Sequence, residues 1–201
     1  MGIEVDNFWT SDFSDSTNAI DDPKRKFRFL VSMTGLVSTT ANTNEIWYAK
    51  TCTKPSFQIA TTEHKYLNHT FFYPGTVTWQ DVTLTLVDPQ SPDVSSLMGA
   101  IMATAGYAVP DTPSGLVTMT KSSMSSAVGT VTVSQLDGDG AVIESWVLKN
   151  ALITEMKFGD LEYGADDLTE LTLTLKYDWA QVTVADQETV YFAANDDPKA
   201  S

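Results

Sequence analysis

Few residues in this 201-residue chain have types and spacing that could do chemistry. The stretch "QLDGDGAVIESW", residues 135–146, sets Asp137 and Asp139 two apart, each followed by glycine, with Glu144 downstream. A calcium loop of the helix-loop-helix kind needs a third oxygen ligand at its fifth position and a bidentate glutamate at its twelfth. Counted from Asp137 those positions hold Ala141 and Leu148, so the spacing rejects a calcium loop. Glycine and aspartate do tolerate the backbone angles of a hairpin turn, and "DGDG" links two alternating runs. His64 and His69 are five apart, which on one continuous strand turns them to opposite faces. With only Glu63 nearby they make a poor metal set. The single cysteine, Cys52, excludes an internal disulfide and a cysteine zinc cluster. No nucleophile elbow, phosphate loop or dinucleotide fingerprint occurs, so the expectation is a protein that is not an enzyme and uses no cofactor.

Function must then be sought in surfaces, beginning with charge. The formal net charge is −14, and hydrophobic residues make up 42% of the chain. Residues 1–23 carry six acids and no base, residues 24–136 carry six acids and eight bases, and residues 137–201 carry fourteen acids and four bases. Such a surface repels nucleic acid rather than clamping it. The basic cluster "KRKFR" (Lys24, Arg25, Lys26, Arg28) starts a strand beside the acidic arm, and its expected role is pairing with carboxylates within or between subunits. The N-terminus lacks the basic start and apolar run of a signal peptide, and no stretch reaches membrane-spanning length.

The elements that carry these surfaces read mostly as strand. "KFRFLVSM" (26–33) alternates with Phe27, Phe29, Val31 and Met33 on one side; "EIWYAKTC" (45–52) follows. "DVTLTLV" (81–87), "GTVTVSQL" (129–136) and "VIESWVLK" (142–149) continue the pattern. In "LTELTLTLKYDW" (168–179), Leu171, Leu173, Leu175, Tyr177 and Trp179 share one face, opposite Glu170, Thr172, Thr174, Lys176 and Asp178. Regular alternation implies antiparallel sheet with one face buried. One helix is predicted over about 91–105, with Ser91 as N-cap, Pro92 in the first turn and Gly106 as the stop. Its apolar stripe, Val94, Leu97, Met98, Ile101, Met102 and Ala105, packs on the sheet.

Three regions read as irregular: an arm at 1–23, about 54–76, and a tail at 180–201. The middle one, rich in aromatics, is long for a connection. Either it offers Phe57, Tyr66, Phe71, Phe72 and Tyr73 to a partner, or part of it forms another strand pair folded on the same core. A ligand-binding sandwich using Trp47, Trp79 or Trp146 as stacking platforms is a competing reading, although Trp146 and Trp179 lie within alternating strands and suit a core.

The order of motifs carries a resemblance. "FRFLVSMTG", "YAKTCTKPSF", "FFYPGTVTWQDVTLTLVD", a helix, and then "VTVSQLDGDGAVIESWVLKNALITEMKFGDLEYGADDLTELTLTLKYDWA" run in the order seen in tail tube proteins of contractile-tailed bacteriophages. More distantly the chain is similar to the tubes of related injection machines, including type VI secretion. The similarity spans roughly residues 26–180.

The resemblance implies a mainly β fold, an antiparallel β-sandwich or small barrel with one flanking helix, as a single tail-tube domain over 1–201. It implies homohexameric rings stacked into a hollow conduit for genome delivery in the virion, assembled in the host bacterial cytoplasm. The implied partners are further copies of itself, the sheath, the baseplate and terminator proteins, and the tape measure protein and DNA within the lumen, with no membrane binding. A baseplate, initiator or terminator ring of the same machine, or the tube of a related injection system, is the alternative. On this reading Phe57, Tyr66, Phe71, Phe72 and Tyr73 stack rings. Thr130, Thr132, Ser134, Glu170, Thr172, Thr174, Lys176 and Asp178 become lumen candidates, and the lumen is expected to be net negative.

Overall fold

A computed structural model describes residues 24–36, 46, 48–91, 93–109, 118–164, 166–185 and 189–193. The arm at 1–23, Trp47 and most of the tail beyond 185 lie outside the described residues.

Alternation writes the strands. β1 (Phe29–Met33) buries Val31 and Met33, and β6 (Val131–Leu136) buries Val131 and Val133. β5 (Val82–Val87) buries Val82, Leu84 and Leu86, while Thr83 and Thr85 stay half-covered. β9 (Glu170–Lys176) does the same with Leu171, Leu173 and Leu175. The rest are β2 (Ala49–Cys52), β7 (Val142–Lys149), β8 (Leu152–Lys157), β10 (Trp179–Val184) and β11 (Thr189–Tyr191).

All pairings are antiparallel. One sheet runs β1-β6-β7-β10-β11 and the other β2-β5-β9-β8. Their apolar faces meet in one cluster that joins Val31, Met33, Val131, Leu148 and Ala180 of the first sheet to Leu84, Leu86, Ile153, Leu171 and Leu173 of the second. This is a β-sandwich. Two residues of the predicted 168–179 strand turn it: Tyr177 stays in the core, and after Asp178 the chain enters the opposite sheet as β10. Trp179 therefore leaves the face it was expected to share with Leu175.

α1 (Val94–Thr104) buries Val94, Met98 and Ile101 in the core. Asp93 caps it by accepting a hydrogen bond from the Ser95 N–H, correcting the expectation of Ser91, which stands in the preceding turn. Asp88 adds a second clamp, accepting from the Val94 N–H (3.2 Å) and the Ser95 hydroxyl (2.9 Å). Gly106, with φ of 95°, ends the helix as predicted.

A second helix, α2 (Lys121–Val128), is a correction to the single helix foreseen. Its sequence, KSSMSSAV, has only a short apolar stripe, but Thr120 caps it and Met124, Ala127 and Val128 reach the core. It leads directly to a close approach: a Cβ on Gly35 would lie 2.0 Å from the Ala127 carbonyl oxygen, so only glycine fits there.

The region 54–76 is the largest correction. Instead of an irregular loop, Ser56–Tyr66 (β3) and His69–Gln80 (β4) form a two-stranded hairpin that pairs with no other strand among the described residues. It is a strand pair, as the alternative reading held, yet every β3 residue is exposed rather than folded on the core. At roughly 3.3 Å per residue, eleven residues give an arm of about 36 Å.

Candidate functional site

The "DGDG" stretch is a hairpin turn. The Asp137 carboxylate accepts from the Asp139 N–H (2.9 Å) and the Ala141 N–H (2.8 Å), and the Asp137 N–H donates to the Ala141 carbonyl (2.9 Å). Gly140 takes a φ of 86°, the left-handed angle that such a turn requires. Asp137 is thus occupied by backbone donors and joins β6 to β7.

Glu144 does something else. Alternation along β7 puts Glu144, Trp146 and Leu148 on the inward face, and Glu144 pairs across the sheet with Gln135. Among the described residues these two are the buried polar side chains of the protein. The Glu144 carboxylate accepts from Lys24, from Lys54 (2.8 Å) and from the Trp146 indole N–H. Lys54 also donates to Gln135 (2.5 Å), whose amide donates to the Arg25 carbonyl (3.1 Å).

Burial pushes the Glu144 carboxyl up, but the hydrogen bonds from Lys24, Lys54 and Trp146 outweigh it and hold the group at about 2. One carboxylate therefore ties down two roots: Lys24, where the acidic arm joins the body, and Lys54, two residues before the hairpin. The sequence carried a signal for this, since Glu144 shares its alternation with Trp146 and Leu148. As expected for "KRKFR", Lys24 is spent on a carboxylate within the subunit.

The hairpin brings the aromatic candidates together on a projecting arm. Register pairs Thr62 with Tyr73, His64 with Phe71 and Tyr66 with His69, so these six share one face, and Phe72 opposite Glu63 lies on the other. His64 and His69 therefore share a face, not opposite faces, because two strands replace the single one assumed. Among the described residues no group of three metal-ligating side chains forms. Tyr66, Phe71, Phe72 and Tyr73 are 64%, 45%, 63% and 55% exposed. At the tip Leu67 is exposed and adopts a φ of 52°, a strained angle for a branched residue.

Phe57 stands apart from that group, at the root. Its ring contacts Trp79 (5.2 Å) and Phe192 (5.7 Å), and Trp79 reaches the core residue Tyr177 (5.8 Å). Phe57, Trp79 and Phe192 line an apolar hollow of about 620 Å³ together with Ile59, Val77 and Trp179. Of the proposed ligand platforms, Trp79 and Trp146 pack against the core, and Trp47 lies outside the described residues.

The lumen candidates divide between two sheets. Thr132 and Ser134 lie on the outer face of the β1-β6-β7-β10-β11 sheet, while Glu170, Thr172, Thr174 and Lys176 lie on β9 in the other. Because those faces look away from each other across the core, the two groups do not line one surface. Thr130 precedes β6, where its N–H donates to the Thr34 hydroxyl (2.8 Å). Asp178 sits between β9 and β10 and accepts from Lys121 (2.7 Å) and Asn150 (2.8 Å).

The charges on the second sheet are paired. Glu170 takes Lys50, Glu155 takes Lys157 (3.2 Å), and Lys176 faces Asp81 at 3.8 Å. That face is balanced rather than acidic.

The fold is similar to that of solved chains from contractile injection systems. A chain from the anti-feeding prophage (AFP) baseplate, 6-fold symmetrised, matches with a TM-score of 0.58 at 14% identity, over 82% of this chain and 98% of that one. A chain from the sheath/tube terminator of the extracellular contractile injection system PVC, in the extended state, matches with a TM-score of 0.58 at 16% identity, over 83% and 100%. A chain from the PVC sheath-tube complex in the extended state gives 0.58 at 17%, over 85% and 98%. At these identities the likeness is one of fold. No protein-family model matches the sequence, and no curated protein sequence does. Among the described residues no helix is long and apolar enough to cross a membrane.

Proposed function

We propose that this protein is a structural, non-enzymatic subunit of a contractile tail tube, forming hexameric rings that stack into a conduit for genome delivery from a virion. The observation that carries this reading is the free hairpin: about 36 Å of paired strand with aromatic side chains on both faces and no core of its own. Exposed aromatics grouped in this way mark a surface that a partner covers. Support also comes from solved chains of the same fold, taken from a 6-fold symmetrised baseplate and from a sheath-tube complex. The sheath, baseplate, terminator and tape measure proteins are the partners this role requires.

On this reading Tyr66, Phe71, Phe72 and Tyr73 contact the adjacent ring, and Phe57 anchors the hairpin to its own subunit. Burying one large aromatic stabilises by about 1.5–3 kcal/mol, and a six-fold ring repeats the gain at each subunit. The wall of the conduit is the outer face of the β2-β5-β9-β8 sheet, where Thr172 and Thr174 alternate with paired charges. A wall without unpaired lysines gives a polyanion nothing to grip.

The test replaces Phe71-Phe72-Tyr73 by Ser-Gly-Ser. The expected variant keeps its circular dichroism spectrum, yet electron micrographs show single rings where the unaltered protein builds tubes. Tubes of normal length from the variant would overturn the reading. Single rings from the unaltered protein would favour a terminator or baseplate ring instead, a reading supported by the fold shared with the PVC terminator.

A further inference from the structure

Two surfaces of this chain have opposite charge and matching apolar content. The first is a groove of about 960 Å³ bordered by β1 and β2, the outermost strands of their sheets. Phe27, Phe29 and Val133 give it an apolar lining, and Lys24, Lys26, Lys50 and Lys54 surround it. Glu144 answers Lys24 and Lys54 together, and Glu170 answers Lys50. Among the described residues, four ammonium groups against those two carboxylates leave the rim net positive, in a chain of net charge −14. Phe27 is 74% exposed, so the apolar lining reaches the open side.

The second surface is the loop that leaves β8 at Lys157 and returns to β9 at Glu170. It carries Asp160, Glu162, Asp166 and Asp167 and no base. Leu161 is 89% exposed and Tyr163 stands wholly in solvent between those acids. Apolar side chains presented in this way mark a surface that a partner covers.

We propose that the 158–168 loop of one copy docks in the β1/β2 groove of a second copy. Charge selects this occupant, because the loop is acidic where the rim is basic. Leu161 and Tyr163 match the apolar lining, and Tyr163 brings a large aromatic face to Phe27. Position selects a second copy over the same one. β2 and β8 are opposite edges of one sheet, so the loop rises from the side away from the groove and both surfaces stay open in the single subunit.

The two patches differ, so each copy gives its loop and offers its groove. Such a head-to-tail contact repeats around a closed ring, or along a filament where the rotation does not close. The inference deepens the proposed function and rests on it for the assembly of copies, and it names side chains that would join neighbours.

The test uses two full-length proteins, both carrying Cys52→Ser. One has Thr51→Cys, an exposed position in the groove lining. The other has Gly164→Cys, where an added Cβ meets nothing nearer than Glu162 Oε1 at 3.8 Å. Circular dichroism confirms that each is folded. They are mixed as dilute subunits, concentrated, and oxidised with copper-phenanthroline. The expected result is a disulfide dimer from the mixture and from neither protein alone. Adding Asp160→Lys and Glu162→Lys to the second protein should cut its yield about tenfold, and 1 M salt should lower it as well. A yield indifferent to the charge reversal would overturn the proposal. Rings in electron micrographs without the mixed dimer would overturn this contact and leave the proposed function standing. Neither rings nor mixed dimer at any concentration would overturn both, whereas mixed dimers in open filaments would uphold the contact against the closed ring.

Discussion

Replacing Glu144 by glutamine tests whether one carboxylate pins the arm and hairpin roots. Holding a carboxyl at about 2 instead of 4.5 corresponds to about 3 kcal/mol in favour of the charged form, at 1.36 kcal/mol per pH unit. The Lys24 and Lys54 side chains are 48% and 46% exposed, so solvent screening removes roughly half of that. The expected loss at pH 7 is about 1.5 kcal/mol, or a fall in melting temperature of roughly 3–6 °C for a chain of this size.

The sign follows from the direction of the shift. A carboxyl held low contributes stability above about 4.5 that is lost as pH falls through about 2. Glu144→Gln should therefore cost stability at pH 7 and nothing once Glu144 is itself protonated. Urea denaturation of the dilute subunit at pH 7, and again at the lowest pH at which circular dichroism still shows the native fold, compares the two regimes. An unchanged midpoint at pH 7 would refute the clasp. So would a deficit of the same size at both ends of the range.

Other predictions follow from the packing and the paired charges. Leu173→Ala removes a fully buried side chain between the sheets and should cost about 2–5 kcal/mol, read as a lower urea midpoint with an unchanged slope. Gly35→Ala drives a methyl against the Ala127 carbonyl and should lower the melting temperature more than alanine does at Gly99, where nothing lies within 4 Å. If the threonine face of β9 lines the conduit, Glu170→Lys frees Lys50 and adds a positive collar, so rings should still form while genome ejection slows. Ejection at the normal rate would mean that this face looks elsewhere.

Much of the sandwich was legible in the chain itself, because a buried face forces a period of two. Val82-Leu84-Leu86 and Leu171-Leu173-Leu175 declare their strands without any neighbour, since apolar residues on one side and threonines on the other fit only a half-buried sheet. The aspartate turn at 137–140 and the glycine stop at 106 were equally local, as each depends on backbone angles that few residue types adopt.

Tertiary structure decided what pattern could not carry. The hairpin at 56–80 has no buried face and hence no alternation to read, so only its pairing shows that His64 and His69 share a side. α2 has too short an apolar stripe to declare itself, and it holds because the core accepts Met124 and Val128. The lumen candidates looked like one set because polarity repeats along each strand. Strand order separates Thr132 from Thr172, and pairing turned an apparently acidic face into a balanced one. Glu144 makes the point at a single residue: its position on β7 followed from alternation, but the lysines that hold it ionised come from residues 24 and 54, which only the fold brings together.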